Sequence, residues 1–341
     1  MAVVGWDIGG VNTKVALVSG SRVLSVHSRA YEIQWAPEAL TPLLTELAAN
    51  VGVQAGDIHA VTMTAELSQL FPTKREGVAH VVNAAVAAFP GTEVLIYTVD
   101  GRFIEPGAAK QEPLLVAAAN WAATAFSVAR CYPQAVLIDI GTTTTDIIPV
   151  MDGVPTPLGR TDPARLASGE LVYTGAVRTP VEGIASHVAV HGVLTGIAAE
   201  GFALSGDVHV WRGTLLPSDY SVEPPDRRPR TREFAGGRLA RAICADRDML
   251  DDAAITSLAD GLAAAQARRI TEAIAQVVGR HPAIRTAVIT GLGAFLAEAA
   301  ARDAGLEVVH LGDSIGIDAA RCAPAAAVAL LLEQARNTAT A

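Results

Sequence analysis

Two short segments about 130 residues apart carry the side chains best placed to do chemistry: Asp7-Ile-Gly9-Gly10-Val-Asn12-Thr13-Lys14 and Asp139-Ile-Gly141-Thr142-Thr143-Thr144-Thr-Asp146. In each, an acid closes an apolar run, a glycine opens a turn, and polar side chains follow. Glycine at the tip removes the Cβ that would hold an anion off the backbone, so the N–H groups of the turn can grip a phosphate. Asn12, Thr13 and Thr142 to Thr144 add donors, and Lys14 adds positive charge. Asp7 and Asp139 suit a divalent cation held through water, as magnesium prefers when it bridges phosphate oxygens. One Asp-x-Gly hairpin is an ordinary chain reversal. Two matched copies read as a phosphate and magnesium clamp.

The elements that must position these residues follow from periodicity. Val3 and Val4 lead into Asp7, Val15 to Val18 lead away, and Val23 to Ala30 form a third strand. The same pattern returns at Val136 to Ile138 and Ile147 to Val150. Between the hairpins, helices are expected over 37–50, 76–88 and 114–129, and strands over 60–64, ending near Glu66, and 94–98. A long helix is expected from about Ile255 to Gly279, and Ala287 to Phe295 reads as a strand passing through Gly291 and Gly293 into a helix, a place for a ligand to lie on backbone. Pro324 suits the start of a final helix, where its missing N–H costs little. The expected organisation is α/β with two lobes, 1–130 and 131–341, the final helix packing back on the first lobe, and a cleft between them.

Composition limits the functions. At 341 residues, half of them apolar, the chain can bury two cores. A net charge of -9 argues against a nucleic-acid partner. Cys131, Cys244 and Cys322 are scattered and odd in number, which fits reduced thiols rather than a disulfide frame. There is no basic leader with an apolar signal core, and no apolar run approaches the roughly 20 residues of a membrane helix. A cytoplasmic protein without membrane partners is expected. The abundant alanine is explained by helix packing or by an apolar face serving a homodimer.

The order and spacing of the two hairpins and the Gly-x-Gly segment resemble the actin, sugar kinase and Hsp70 superfamily, which implies a two-lobed actin-like ATPase (ribonuclease H-like) fold with a central cleft. Within it the chain resembles a narrower group, hydantoinase/oxoprolinase-like proteins of the tetrahydromethanopterin-linked C1 pathway that include the methanofuran-biosynthesis ether synthases. The residues that carry this are the two hairpins, Thr62-Met-Thr-Ala-Glu66-Leu, Ala119-Asn120-Trp121, Asp146-Ile-Ile-Pro149, and Tyr173-Thr-Gly175 followed by Arg178-Thr-Pro180. The resemblance implies a transferase that joins a furanylmethyl diphosphate to the phenol of a γ-glutamyl tyramine or tyrosine, releasing diphosphate. Its partners would be that small-molecule diphosphate ester and the phenolic glutamyl acceptor, with Mg2+ as cofactor.

In that reaction Asp7 and Asp139 would place magnesium, while Lys14 and the hairpin amides stabilise the leaving diphosphate. Glu66, Asp146 and Asp207 compete as the base for the phenol proton. Asn120, Trp121 and Arg178 are candidates to bind substrate, with Trp121 stacking on the aromatic ring. Pro217 to Arg232 is a loop whose arginines, Arg228 and Arg232 among them, can clamp an anion bidentately. Asp207 belongs to a segment where Ser205-Gly206 departs from the family pattern. His187 and His191 can share a helix face but lack the metalloprotease glutamate. Two other classes share the fold: an ATP-dependent small-molecule kinase or hydantoinase/oxoprolinase-type hydrolase, and a non-catalytic nucleotide-binding regulator.

Overall fold

The computed structural model describes residues 2–340 and divides them into two compact units. One holds the chain up to Leu137, Ile148–Ala167 and everything from Val309; the other holds Ile138–Ile147 and Ser168–Val308.

The first unit is built on β1 (Val3–Ile8), β2 (Asn12–Ser19), β3 (Arg22–Ala30), β4 (Ile58–Met63), β5 (Val94–Tyr97) and β6 (Phe103–Ile104), in the order β3-β2-β1-β4-β5-β6. β1 to β3 run antiparallel, and β1, β4 and β5 run parallel. β1 and β4 are buried along their whole length, as strands covered on both faces must be. Val4, Trp6 and Ile8 point to one face, where α1 (Leu40–Val51) and α2 (Lys74–Ala88) close a core with Leu44, Leu47, Val78 and Val82. The alternate residues of β1 point to the other face, because side chains alternate along a strand.

The expected helix over 114–129 is broken in two. α3 (Pro106–Gln111) and α4 (Pro113–Val116) are short, and α5 (Asn120–Cys131) starts afresh after Ala118, which has φ +50°. At the break the Leu115 carbonyl accepts the N–H of Val99 at 2.8 Å, from outside the helix, where a continuing helix would offer it to residue 119.

The second sheet follows the order β10-β8-β7-β13-β14. It comprises β7 (Ala135–Ile140), β8 (Thr145–Met151), β10 (Leu171–Val172), β13 (Thr286–Thr290) and β14 (Glu307–His310), with β9 (Val154–Pro155) beside β8. α6 (Asp162–Ser168) follows β9. A separate hairpin pairs β11 (His187–Val190) with β12 (Val193–Gly196). His187 and His191 therefore do not share a helix face. His191 and Gly192 both take positive φ, 50° and 78°, the two-residue turn whose twist matches a hairpin. α7 (Ser205–Arg212), α8 (Arg232–Arg241) and α9 (Asp252–Gly279) enclose a core of Val188, Val208, Trp211, Leu239, Ile255 and Leu258. α10 (Ala294–Asp303) follows β13.

The chain returns to the first unit through α11 (Leu311–Ile315), α12 (Ile317–Arg321) and α13 (Ala323–Thr340). α13 lies against β1, β2 and α5. A Cβ on Gly5 would sit 1.9 Å from the Ala325 carbonyl oxygen and 2.9 Å from the Ala329 methyl. The alanine-rich helix and the strand glycine therefore form one close contact of backbone on backbone. Gly5→Val is expected to lower unfolding free energy by about 1–3 kcal/mol, as overpacking does. Urea denaturation checks this, and an unchanged midpoint would contradict the helix-on-strand contact.

Candidate active site

The two hairpins close in the same way. Gly9 N–H donates to the Asn12 carbonyl at 3.0 Å, and Gly141 N–H to the Thr144 carbonyl at 2.9 Å. In the first, the Gly10 and Val11 carbonyls accept from Ile33 and Tyr31; in the second, the Gly141 and Thr142 carbonyls accept from Ala176, and from Val177 and Arg178. In a planar trans peptide the C=O of one residue and the N–H of the next point in opposite directions. Anchoring these carbonyls inward therefore turns the Val11 and Asn12 amides, and those of Thr142 and Thr143, toward the opposite side. Consecutive amides on one side of a turn, with the carbonyls tied on the other, are the pattern of an anion-binding concavity.

Around the first hairpin, Asp7 is 5% exposed and lies 3.6 Å from the Lys14 ammonium, its cross-strand partner. Thr13 is buried and its hydroxyl has no hydrogen-bond partner among the described residues. Thr64 N–H donates to the Ile8 carbonyl, which sets the following turn, Ala65–Leu67, beside the hairpin. That turn carries Glu66.

The second hairpin is held from two directions. A Cβ on Gly175 would lie 2.6 Å from the Thr143 backbone, and one on Gly291, at φ +90°, 2.4 Å from Asp139 Oδ1. Gly293 N–H donates to the Ile140 carbonyl at 2.8 Å. The Gly-x-Gly segment thus abuts the acid of the hairpin, with Asp139 8% exposed. A buried polar network fixes the other side. Thr145 Oγ donates to the Thr174 carbonyl, Gln266 Nε2 to Thr174 Oγ and the Gly175 carbonyl, and Ser205 Oγ to the same carbonyl. Asp146 is buried beside it in β8, and Arg178 is half-buried.

Glu66 is the centre of a second charged group within the first unit. It is 1% exposed, and its Oε2 has no hydrogen-bond partner among the described residues. Its Oε1 lies 3.4 Å from Lys74 Nζ, which donates to Asp162 at 2.7 Å. Asp162 is 3.9 Å from Arg165, whose guanidinium carbon sits 4.6 Å from the Trp121 ring centroid. Trp121 is buried and its Nε1 has no hydrogen-bond partner among the described residues, and Asn120 beside it is half-buried at the start of α5. Burial pushes the Glu66 carboxyl up to about 7, with Lys74 opposing and Asp162 adding to the rise. Burial pulls Lys74 down, but Glu66 and Asp162 outweigh it and hold its ammonium above the ordinary value.

The structure thus brings together Asp7, Gly9, Gly10, Asn12, Thr13 and Lys14 in one unit. It gathers Asp139, Gly141 to Thr144, Asp146, Arg178, Gly291 and Gly293 in the other. Asp207 is the third residue of α7. Its carboxylate accepts from the Leu204 N–H and pairs with Arg238 at 2.8 Å, and burial lifts it to about 6. Arg232 stacks 3.7 Å over Trp211 and pairs with Asp252; Arg228 is exposed near Phe234. Lys74, Asp162 and Arg165 carried no signal in the sequence, where they look like surface charges at helix starts.

The donor set fits magnesium. Each hairpin supplies one carboxylate beside a turn of outward amides, and magnesium takes one or two carboxylates with phosphate oxygens and water. Among the described residues, no group of three or more His, Cys, Asp or Glu is gathered as a metal cage. Cys131, Cys244 and Cys322 are free thiols. No helix among the described residues is long and apolar enough to cross a membrane.

The Hydantoinase/oxoprolinase family model matches residues 57–335. The chain is 33% identical, over 97% of its length and 98% of the relative's, to (4-{4-[2-(gamma-L-glutamylamino)ethyl]phenoxymethyl}furan-2-yl)methanamine synthase of Methanocaldococcus jannaschii. It is 27% identical to the synthase of the same name from Methanococcus vannielii, over 59% of this chain and 92% of that one. Among solved structures it resembles acetone carboxylase in its nucleotide-free form, at TM-score 0.64 and 12% identity over 95% of this chain and 70% of that one. The activator of 2-hydroxyisocaproyl-CoA dehydratase from Clostridium difficile, with bound ADPNP, follows at TM-score 0.50 and 11% identity over 100% and 97%. These structures show the fold, which is of the actin-like ATPase class.

The charge state of Glu66 has a thermodynamic signature. Its carboxyl titrates near 4.5 unfolded and about 7 folded, so between these values only the folded chain holds the proton and stability falls as pH rises. Glu66→Gln lacks this fall. Its stability relative to wild type is expected to rise by about 1–3 kcal/mol between those pH values, read by denaturant melts.

Proposed function

The chain belongs to the hydantoinase/oxoprolinase family, and from that premise we propose that it is a transferase making an aryl ether from a furanylmethyl diphosphate and the phenol of a γ-glutamyl tyramine. The observation that carries this reading is the full-length similarity to a synthase whose name describes that phenoxymethylfuran product. The hairpins supply the chemistry that such a reaction needs, a cradle for a diphosphate that must leave with an electron pair.

Each turn aims consecutive amides at phosphate oxygens, and Lys14 adds a charge that strengthens as negative charge builds on the leaving group. Magnesium, for which Asp7 in one unit and Asp139 in the other are each a suitable carboxylate, would supply further neutralisation of the diphosphate oxygens. The phenol oxygen forms a bond to the furanylmethyl carbon as the carbon–diphosphate bond breaks, and its proton goes to a carboxylate. Glu66 is best suited to take it. A base works best when its proton affinity lies near the working pH, and the Glu66 carboxyl sits at about 7 with one oxygen unpartnered. Asp207 has both oxygens engaged by Arg238, Tyr220 and the Leu204 N–H.

Asp7→Asn and Asp139→Asn are each expected to cut ether formation by on the order of a hundredfold or more, with circular dichroism unchanged. The assay is mass spectrometry of purified chain with magnesium, aminomethylfuran-methyl diphosphate and γ-glutamyl tyramine, with and without ATP. Ether and free diphosphate without ATP support the transferase. ATP loss with no ether would replace it with a kinase or hydrolase.

A further inference from the structure

A cavity of about 220 Å³ opens within the first unit, lined by Lys74, Leu114, Ala117, Thr161 and Pro163. It lies where the break between α4 and α5 leaves Leu114 and Ala117, and its far wall is the start of α6. Three of its lining side chains are apolar, and a fourth is Lys74, whose ammonium lies 3.4 Å from Glu66 and 2.7 Å from Asp162. An apolar cavity on the order of 150 Å³ accepts a benzene ring, so this one has room for a ring with one or two substituents. Its single positive group suits a ring bearing an oxygen that becomes negative.

We propose that this cavity is the subsite for the phenolic ring of the acceptor, with Lys74 as the positioning residue that holds Glu66 and steadies the phenol oxygen as its proton leaves. The proposal rests on the transferase reading for the identity of the ring, but the cavity and its charge pattern stand without it. Glu66 faces charged groups from two packed elements: Lys74 from α2 and Asp162 from α6, with Arg165 behind Asp162. One cation between two acids leaves the triad able to take a proton on Glu66 while Lys74 stays charged. Removing the ammonium leaves Asp162 facing Glu66 unopposed, which makes the Glu66 proton harder to release.

The test uses the full chain and tyramine alone, by calorimetry, followed by steady-state kinetics with both substrates. Leu114 is 59% exposed, so Leu114→Trp narrows the mouth without disturbing the core. It is expected to weaken tyramine binding, and to raise the acceptor KM, about tenfold or more, with the KM for the diphosphate ester unchanged. Lys74→Met is expected to move the ascending limb of the kcat pH profile to higher pH, which a purely structural role would not do. Ether formation with tyramine affinity and acceptor KM unaltered in Leu114→Trp overturns the subsite and keeps the transferase. Tyramine binding that Leu114→Trp removes, in a chain that makes no ether, overturns the transferase and keeps the subsite. A limb unmoved in Lys74→Met overturns the role given to Lys74.

Discussion

The arrangement depends on one constraint, the antiparallel direction of C=O and N–H across a planar peptide. Because the carbonyls of Gly10, Val11, Gly141 and Thr142 are tied to neighbouring backbone, the amides that follow them have one direction left. Nothing about the hairpin alone would secure this, since a free turn can rotate its peptides. The segments at 31–33 and 176–178 decide it by supplying the partner N–H groups. They in turn need room to approach, and a Cβ on Gly175 would strike the Thr143 backbone. The glycine of the Tyr173-Thr-Gly175 motif thus acts on the second hairpin turn by lacking a side chain.

A second kind of order is electrostatic. Glu66, Lys74, Asp162 and Arg165 form a line of alternating charge in a place where water is scarce, closed by the Trp121 ring. In such surroundings burial disfavours the ionised acid, while a neighbouring ammonium favours it. The two tendencies partly cancel at Glu66 and leave its proton exchangeable near neutrality. Asp207 shows the contrast: it is equally buried, but its arginine, tyrosine and backbone partners occupy it as a structural anchor for α7. Both acids stood as candidate bases, and their surroundings distinguish them.

The actin-like fold by itself leaves the chemistry open, since kinases and non-catalytic binders use related scaffolds. Turns able to grip phosphate would serve ATP and a diphosphate ester equally well. What narrows the reading is the full-length similarity to the phenoxymethylfuran synthases, joined to a carboxyl held at about 7. A cavity sized for one ring is lined by Lys74, the ion-pair partner of that carboxyl.

The hairpins, their acids, the long helix and the Gly-x-Gly turn were legible in the chain because each is a local pattern: alternation, a glycine where no side chain fits, a helical period. β1 to β3, β7, β8 and β13 follow those patterns closely. Two local readings failed for non-local reasons. The helix over 114–129 is interrupted where Val99, from the turn after β5, gives its N–H to the Leu115 carbonyl, and the His187 to His191 stretch turns as a hairpin instead of a helix. The partnership of Lys74 with Asp162, 88 residues apart, has no sequence signal at all, because each looks like a solvated charge until packing removes the water. Residue type and spacing determined which groups could grip phosphate; only tertiary packing decided which carboxyl was desolvated, which was anchored, and where a ring-sized space was left beside them.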